Sequence, residues 1–362
     1  PPVNIDAPTE PLRPEGVVAI HDGAMRILEE IGIEILNHEA LEVFRKAGCT
    51  VNGENVRMGR DMVMEYVALA PSEFTLTPRN PDRKIVIGGR NMVFGNVSSP
   101  PNYWDMAQGR KVPGTREMCR DLLKLTQYFN CIHFAGGYPV EPVDVHASIR
   151  HLECGRDYAT LTEKVPYIYS LGRDRNLDGI EMARIMRGIS HEQMLEQPSL
   201  FTVINSNSPL MLDQPMLEGI IEMAAHGQVI ALTPFTLSGA MAPVTIGGAL
   251  TQQNAEALAG LSLAQTVRPG APVIYGGFTS NVDMKSGAPA FGTPEYAKAT
   301  IASGQLIRRY NLPFRSSNVN ASLVSRSRWG QFRQACGGLA RRRPQRQLRE
   351  GHHGCGDDPD DD

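Results

Sequence analysis

In the second half of the chain the apolar positions come in short unbroken bursts. Each burst meets a polar or glycine-rich stop and then an amphipathic stretch. Residues 200–204 stop at Asn205-Ser206-Asn207-Ser208, and helical spacing follows from Gln214 to His226. Residues 229–232 stop at 233–239, ahead of a long helical stretch from Ile246 to Val267. Residues 272–275 stop at Gly276-Gly277-Phe278-Thr279-Ser280, Thr293 to Tyr310 reads as the next helix, and Leu312-Pro313-Phe314 is a last burst. Strands that are apolar throughout are buried on both faces, and helical crossovers make their neighbours parallel. Small polar residues at every exit therefore predict an α/β fold of the TIM (βα) barrel type, with its site at the strands' carboxyl ends. Residues 132–135 and 165–169 supply two earlier strands, the first preceded by a helix over 116–129. That makes six strands by Phe314, two short of closure.

The flanks read differently. Residues 1–19 hold five prolines and no periodicity, which predicts an extended arm. Helical spacing over 21–30, 37–47 and 58–69, then short strands over 74–77, 85–87 and 92–94, predict an N-terminal α+β extension, residues 1–110, ahead of barrel residues 111–322. From 323 to 349 there are eight arginines and no acid, and five of the last six residues are aspartate. Dropping one base from the codons of this tail permits Gly-Trp-Leu-Asp-Gly-Gly-Leu-Asn-Ala-Ser-Tyr-Glu-Lys, a sensible globular sequence. Residues 323–362 are therefore expected to be out of frame, with a disordered basic–acidic tail as the alternative, and the barrel C-terminally incomplete.

Composition narrows the function. A net charge of −3 and a pI near 6.4 give no global field toward nucleic acid or an anionic membrane. No apolar run nears the roughly 18 residues that span a bilayer. Six scattered cysteines with no CxxC pair predict reduced thiols and a cytoplasmic protein. His146 and His151 lack a third ligand at sensible spacing, so no metal is expected. Gly247-Gly248 and Gly276-Gly277 match no phosphate or dinucleotide fingerprint.

Longer motifs carry a resemblance. Residues 101–105 (Pro-Asn-Tyr-Trp-Asp), the Pro113-Gly114-Thr115 turn, and segments 137–145, 283–292 and 311–318 are together similar to the trimethylamine methyltransferase family. The similarity extends over roughly residues 15–322. It implies a TIM barrel that moves a methyl group from a methylated amine to the Co(I) of a separate corrinoid protein. No cobalamin would be held tightly by the chain itself. Archaeal trimethylamine enzymes of the family carry pyrrolysine; this chain has standard residues only, as in the branch associated with quaternary amines such as glycine betaine. The position equivalent to pyrrolysine would fall near 316–320. Oligomeric state, a homo-oligomer included, stays open.

A quaternary amine departs neutral after displacement, so no general acid is needed and positioning dominates. A fixed cation is best held by aromatic faces and by carboxylates at modest distance. The aromatic candidates are Tyr103, Trp104, Phe134, Tyr138, Tyr275 and Phe278. Asp283 and Glu141 are the candidate catalytic carboxylates, with Asp144 beside them. For a substrate carboxylate the candidate donors are Asn205, Ser206, Ser238, the Gly239 amide and Arg315, with Ser316 and Asn318 completing the substrate set. A barrel lyase or aldolase is the alternative, and it would need Lys285, the only lysine near a strand exit. A third reading is an inactive fragment.

Overall fold

The computed structural model describes residues 1–316. Its centre is a parallel five-stranded sheet in the order Phe314–Arg315, Val273–Gly276, Val229–Leu232, Phe201–Ile204, Tyr167–Tyr169. Isolated parallel bridges extend the array past Val165 to Phe134 and on to Gly95. Seven chain segments therefore run side by side. The fold is mixed α/β with a parallel sheet, as the unbroken apolar bursts require. Among the described residues the sheet does not close on itself.

Three local expectations change: residues 14–19, expected within an extended arm, open the helix Pro14–Arg26, where proline is tolerated in the first turn. Residues 132–135 form only the bridge at Phe134, and 92–94 form no strand, lying between bridges at Asn91 and Gly95. A Gly-Gly-Tyr-Pro exit after Ala135 breaks the ladder before it can lengthen. Val93 is instead used for packing.

The period of two decides what each strand residue faces. Tyr167, Phe201, Val229, Ala231 and Ile274 share one apolar cluster, joined by Leu76 and Ile85 of the hairpin Glu73–Leu76/Ile85–Gly88. Their neighbours Ile204, Ile230, Leu232, Val273 and Tyr275 belong to the other cluster, against the helices.

Helix Ile246–Val267 is the hub of that second layer. It is buried nearly all round, as expected of a helix whose apolar residues do not keep to one stripe. Helices Pro14–Arg26, His38–Lys46 and Arg60–Leu69 pack on it, and the strand Ile33–Ile35 pairs in parallel with Met211–Leu212. The N-terminal segment thus shares one core with the repeated βα units. No helix among the described residues is long and apolar enough to cross a membrane.

A buried polar chain runs through this layer. Asn254 Nδ2 donates to the Tyr310 hydroxyl (2.8 Å), which lies 2.8 Å from His21 Nδ1. The Tyr310 hydroxyl thus links the helix carboxamide to the imidazole, as donor or acceptor according to the histidine tautomer. Burial, and then the charge of Arg309, hold the His21 pKa below its usual 6.5. The unfolded chain therefore takes up a proton first, and stability falls as the pH drops below about 6.5. His133, lowered chiefly by burial, adds to the same trend. Denaturant melts at about pH 7.5 and 5.5 should show a smaller loss for His21→Gln than for the unsubstituted chain.

Candidate functional site

At the carboxyl edge of the sheet neighbouring strands come very close. The Gly277 amide donates to the Arg315 carbonyl (3.1 Å) and the Thr233 amide to the Ile204 carbonyl (2.7 Å). A Cβ on Gly276 would lie 2.0 Å from Thr233 Oγ1, so only glycine fits there.

By strand parity Arg315 turns toward the face that carries Ile274 and Tyr167. Its guanidinium donates to Thr233 Oγ1 (3.3 Å), and no carboxylate pairs with it among the described residues. Burial lowers its pKa from the usual value, against a smaller opposing pull from the Tyr167 and Tyr296 side chains. Tyr296 is 3% exposed, yet its buried hydroxyl has no hydrogen-bond partner. An uncompensated guanidinium and an unsatisfied phenol are each costly away from water. Together they make this edge a candidate place for an acceptor.

Aromatic rings line both sides. Phe278 lies 4.9 Å from Phe291, 5.5 Å from Phe235 and 6.1 Å from Tyr296, centroid to centroid. Across the sheet Tyr167 meets Tyr169 at 4.6 Å and Phe201 at 5.3 Å, and Tyr138 meets Tyr169 at 4.7 Å. Tyr103 packs against the cluster that contains Tyr138. The Tyr169 hydroxyl binds the Ser98 and Ser99 hydroxyls and accepts from the Tyr138 amide (3.1 Å). Burial pushes the Tyr138 and Tyr167 phenols far up, so both stay neutral.

Several residues expected at the site are occupied elsewhere. Tyr275 points into the helical layer, where its hydroxyl donates to Asn254 Oδ1 (3.2 Å); parity with Ile274 sends it there. Ser206 is tied to the buried Glu256 carboxylate, which also accepts from Ser208 Oγ (2.6 Å), the Leu210 amide (2.9 Å) and Gln252 Nε2 (2.8 Å). Glu141 is ion-paired to Arg150 (2.6 Å), and Asp144 accepts from the Arg116 amide at a helix start (2.8 Å). Asp283 closes an exposed turn, where the Ser286 amide and hydroxyl hold its carboxyl low. The Gly239 amide is spent on the Ala242 carbonyl (2.9 Å).

Asn205 is exposed at the edge of the sheet, immediately after Phe201–Ile204. Ser238 is buried in the short pair Leu237–Ser238/Ser280–Asn281. Ser316 is half-buried and donates to Thr300 Oγ1 (3.4 Å). Asn318 and the 323–362 tail lie outside the described residues. Tyr296, Phe235 and Phe291 were not anticipated. Phe235 stands inside a strand-exit stop and was legible there, whereas Tyr296 is three residues into a helix and carries no such signal.

The model of the family described as trimethylamine methyltransferase (MTTB) matches residues 1–328. The chain belongs to that family. Among curated members, glycine betaine methyltransferase of Desulfitobacterium hafniense (strain Y51) is 38% identical over 305 residues, 84% of this chain and 63% of that protein. Trimethylamine methyltransferase MttB of D. hafniense (strain DSM 10664 / DCB-2) is 30% identical over 83% of this chain and 60% of its own length. Proline betaine:corrinoid methyltransferase of Eubacterium limosum is 27% identical over 83% and 63%. The chain thus spans about three-fifths of the length of the family members it matches. A solved structure titled as the hydroxylamine MtmB complex superposes with a TM-score of 0.46 at 10% identity, over 84% of this chain and 66% of that one.

Proposed function

We propose that this chain carries the methyl-donor site of a corrinoid-dependent amine methyltransferase whose substrate is a betaine, a quaternary amine bearing a carboxylate. One observation carries the reading: among the described residues the Arg315 guanidinium has no carboxylate partner, and it lies within electrostatic range of Tyr296, whose buried hydroxyl has no hydrogen-bond partner. A substrate carboxylate would satisfy both, and the Phe235, Phe278 and Phe291 faces would take the trimethylammonium end. The names glycine betaine methyltransferase and proline betaine:corrinoid methyltransferase, borne by relatives, point the same way.

The charge arrangement separates substrates. Protonated trimethylamine would place a second cation near Arg315 with nothing to offset it, whereas a betaine brings its own anion. Like charges a few ångströms apart repel by several kcal/mol at intermediate dielectric, roughly 4 kcal/mol at 4 Å. In the reaction one C–N bond breaks, its electron pair stays on nitrogen, and the methyl passes to the cobalt of a partner's corrinoid. The chain's own residues fix the carboxylate, cradle the ammonium and keep the methyl at the open carboxyl edge. No acid need protonate the leaving amine, which accords with the local engagement of Glu141 and Asp283 in an ion pair and a turn.

The aldolase alternative lacks a suitable amine. Lys285 is exposed in the Asp283 turn, and the buried Lys164 spends its ammonium on the Thr126 and Phe129 carbonyls. The same proposal takes the parallel array as part of a closed TIM barrel and the 323–362 segment as out of frame, which re-reading the codons from 320 onward would test.

The functional test is an assay with reduced cobalamin. Glycine betaine should be converted to dimethylglycine while trimethylamine is not turned over. Turnover of trimethylamine alone would sink the proposal.

A further inference from the structure

We infer that Gln253, buried in helix Ile246–Val267 and away from the substrate face, is the positioning residue for the aromatic wall that receives the ammonium. The inference rests on the betaine reading and extends it to the layer behind the site.

Gln253 is fully buried and every polar group on its carboxamide is engaged. Its Nε2 donates to Ser303 Oγ (3.1 Å) and to the Tyr275 hydroxyl (3.4 Å), and its Oε1 accepts from Thr279 Oγ1 (2.6 Å). Thr279 is bonded in turn to the Thr236 hydroxyl. Thr279 has already given its one hydrogen to Gln253, so Thr236 is the donor in that pair. The two threonines directly follow Phe278 and Phe235, whose rings stack at 5.5 Å.

Side chains alternate along extended chain, and Phe235-Thr236 and Phe278-Thr279 lead directly into the strands Leu237–Ser238 and Ser280–Asn281, with both threonines buried and both phenylalanines half-buried. Fixing both threonines toward the helix therefore commits both phenylalanines to the opposite side. The backbone also comes close: a Cβ on Gly277 would lie 3.0 Å from Gln253 Nε2 and 3.1 Å from Ser303 Oγ. Glycine at 277 lets the exit loop settle onto the carboxamide, and the carboxamide in turn sets the height of Phe278. One side chain thus reinforces two strand exits that are otherwise joined by the Ser280 amide on the Thr236 carbonyl (3.2 Å) and the short pair Leu237–Ser238/Ser280–Asn281.

Two ligands separate this role from plain structural support. Glycine betaine and 3,3-dimethylbutanoate have the same shape and carboxylate, but only the first carries a positive charge for aromatic faces to attract. The unsubstituted protein should prefer betaine by about tenfold, the scale of a desolvated cation–π contact. In Gln253→Leu the preference should shrink to about twofold or less, while 3,3-dimethylbutanoate binds within about threefold of its original affinity. Thr279→Val should reproduce the loss with less risk to folding, Thr279→Ser should restore it, and the double variant with Gln253→Leu should lose no more than either alone.

An undiminished preference in Thr279→Val would overturn the positioning role, as would equal weakening of both ligands. If the unsubstituted protein binds the two ligands equally, the betaine reading itself fails. That failure is distinct from a preference that survives the substitutions.

Discussion

Arg315→Met is expected to weaken glycine betaine binding by about two orders of magnitude, the usual scale for removing one partner of a desolvated, hydrogen-bonded charge pair. The same substitution should leave the melting temperature unchanged or raise it, because among the described residues this half-buried guanidinium has only the Thr233 hydroxyl as a partner. An uncompensated charge taken out of water costs folding energy, and a methionine there does not. Thr233 is not stranded by the change, since its own hydroxyl donates to the Ala231 carbonyl (3.3 Å). Choline, which has the ammonium and no carboxylate, gives the control: its weak binding should be unaffected or improved. Titration calorimetry with both ligands reads the difference. Equal losses for betaine and choline would mean that Arg315 shapes the pocket and does not contact the anion. Arg315→Lys should recover part of the affinity, because an ammonium supplies the charge but not the planar fork.

The second large effect is on stability. Asp157, its side chain 3% exposed, accepts from Arg116 Nε (2.9 Å) and Nη2 (3.1 Å) and from Arg120 Nη1 (3.2 Å). Those arginines stand on helix Arg116–Tyr128 and Asp157 on helix Arg150–Leu161, so the carboxylate ties together the two helices that back the Tyr138 cluster. Asp157→Ala leaves Arg116 with Glu153 alone, at 2.6 Å. The expected cost is about 3 kcal/mol, the low end for breaking a buried pair, because both arginines are partly solvated. That corresponds to a fall in melting temperature of roughly 5–10 °C for a domain of this size. A calorimetric scan in about 1 M salt should show the same fall, since a buried carboxylate is screened far less than a surface pair. A loss that vanishes in salt would reassign the contact to the surface.

Asp157, which is buried, and Arg315, which is half-buried, are opposite cases of charge inside the fold. The first is surrounded by donors within the fold and supports stability. The second has no counter-ion among the described residues, and the proposed function supplies one from the substrate. Local sequence does not separate the two, because each is a charged residue within or at the end of an apolar pattern.

The layer order could be read from the chain. Bursts such as 229–232 and 273–276, apolar at every position, are buried on both faces, and the helical spacing between them leaves room only for parallel neighbours. Strand exits at Asn205, Phe278 and Arg315 were legible for the same reason, since polar and glycine residues must begin where the ladder ends. Phe235 was present in such an exit too. What a single exit does not reveal is parity. Tyr275 and Arg315 both stand at strand ends, yet one turns into the helices and the other into the site.

The sequence alone determined the parallel βα architecture and its carboxyl edge, because periodicity and strand stops are local properties of the chain. Only the tertiary structure decided which charges were free to act. Glu141 met Arg150, Ser206 met Glu256, and Asp283 closed a turn, while Arg315 met no carboxylate among the described residues. The physical reason is that a polar side chain's availability depends on partners close in space, up to 50 residues away for Glu256 and Ser206, and spacing along the chain does not record them.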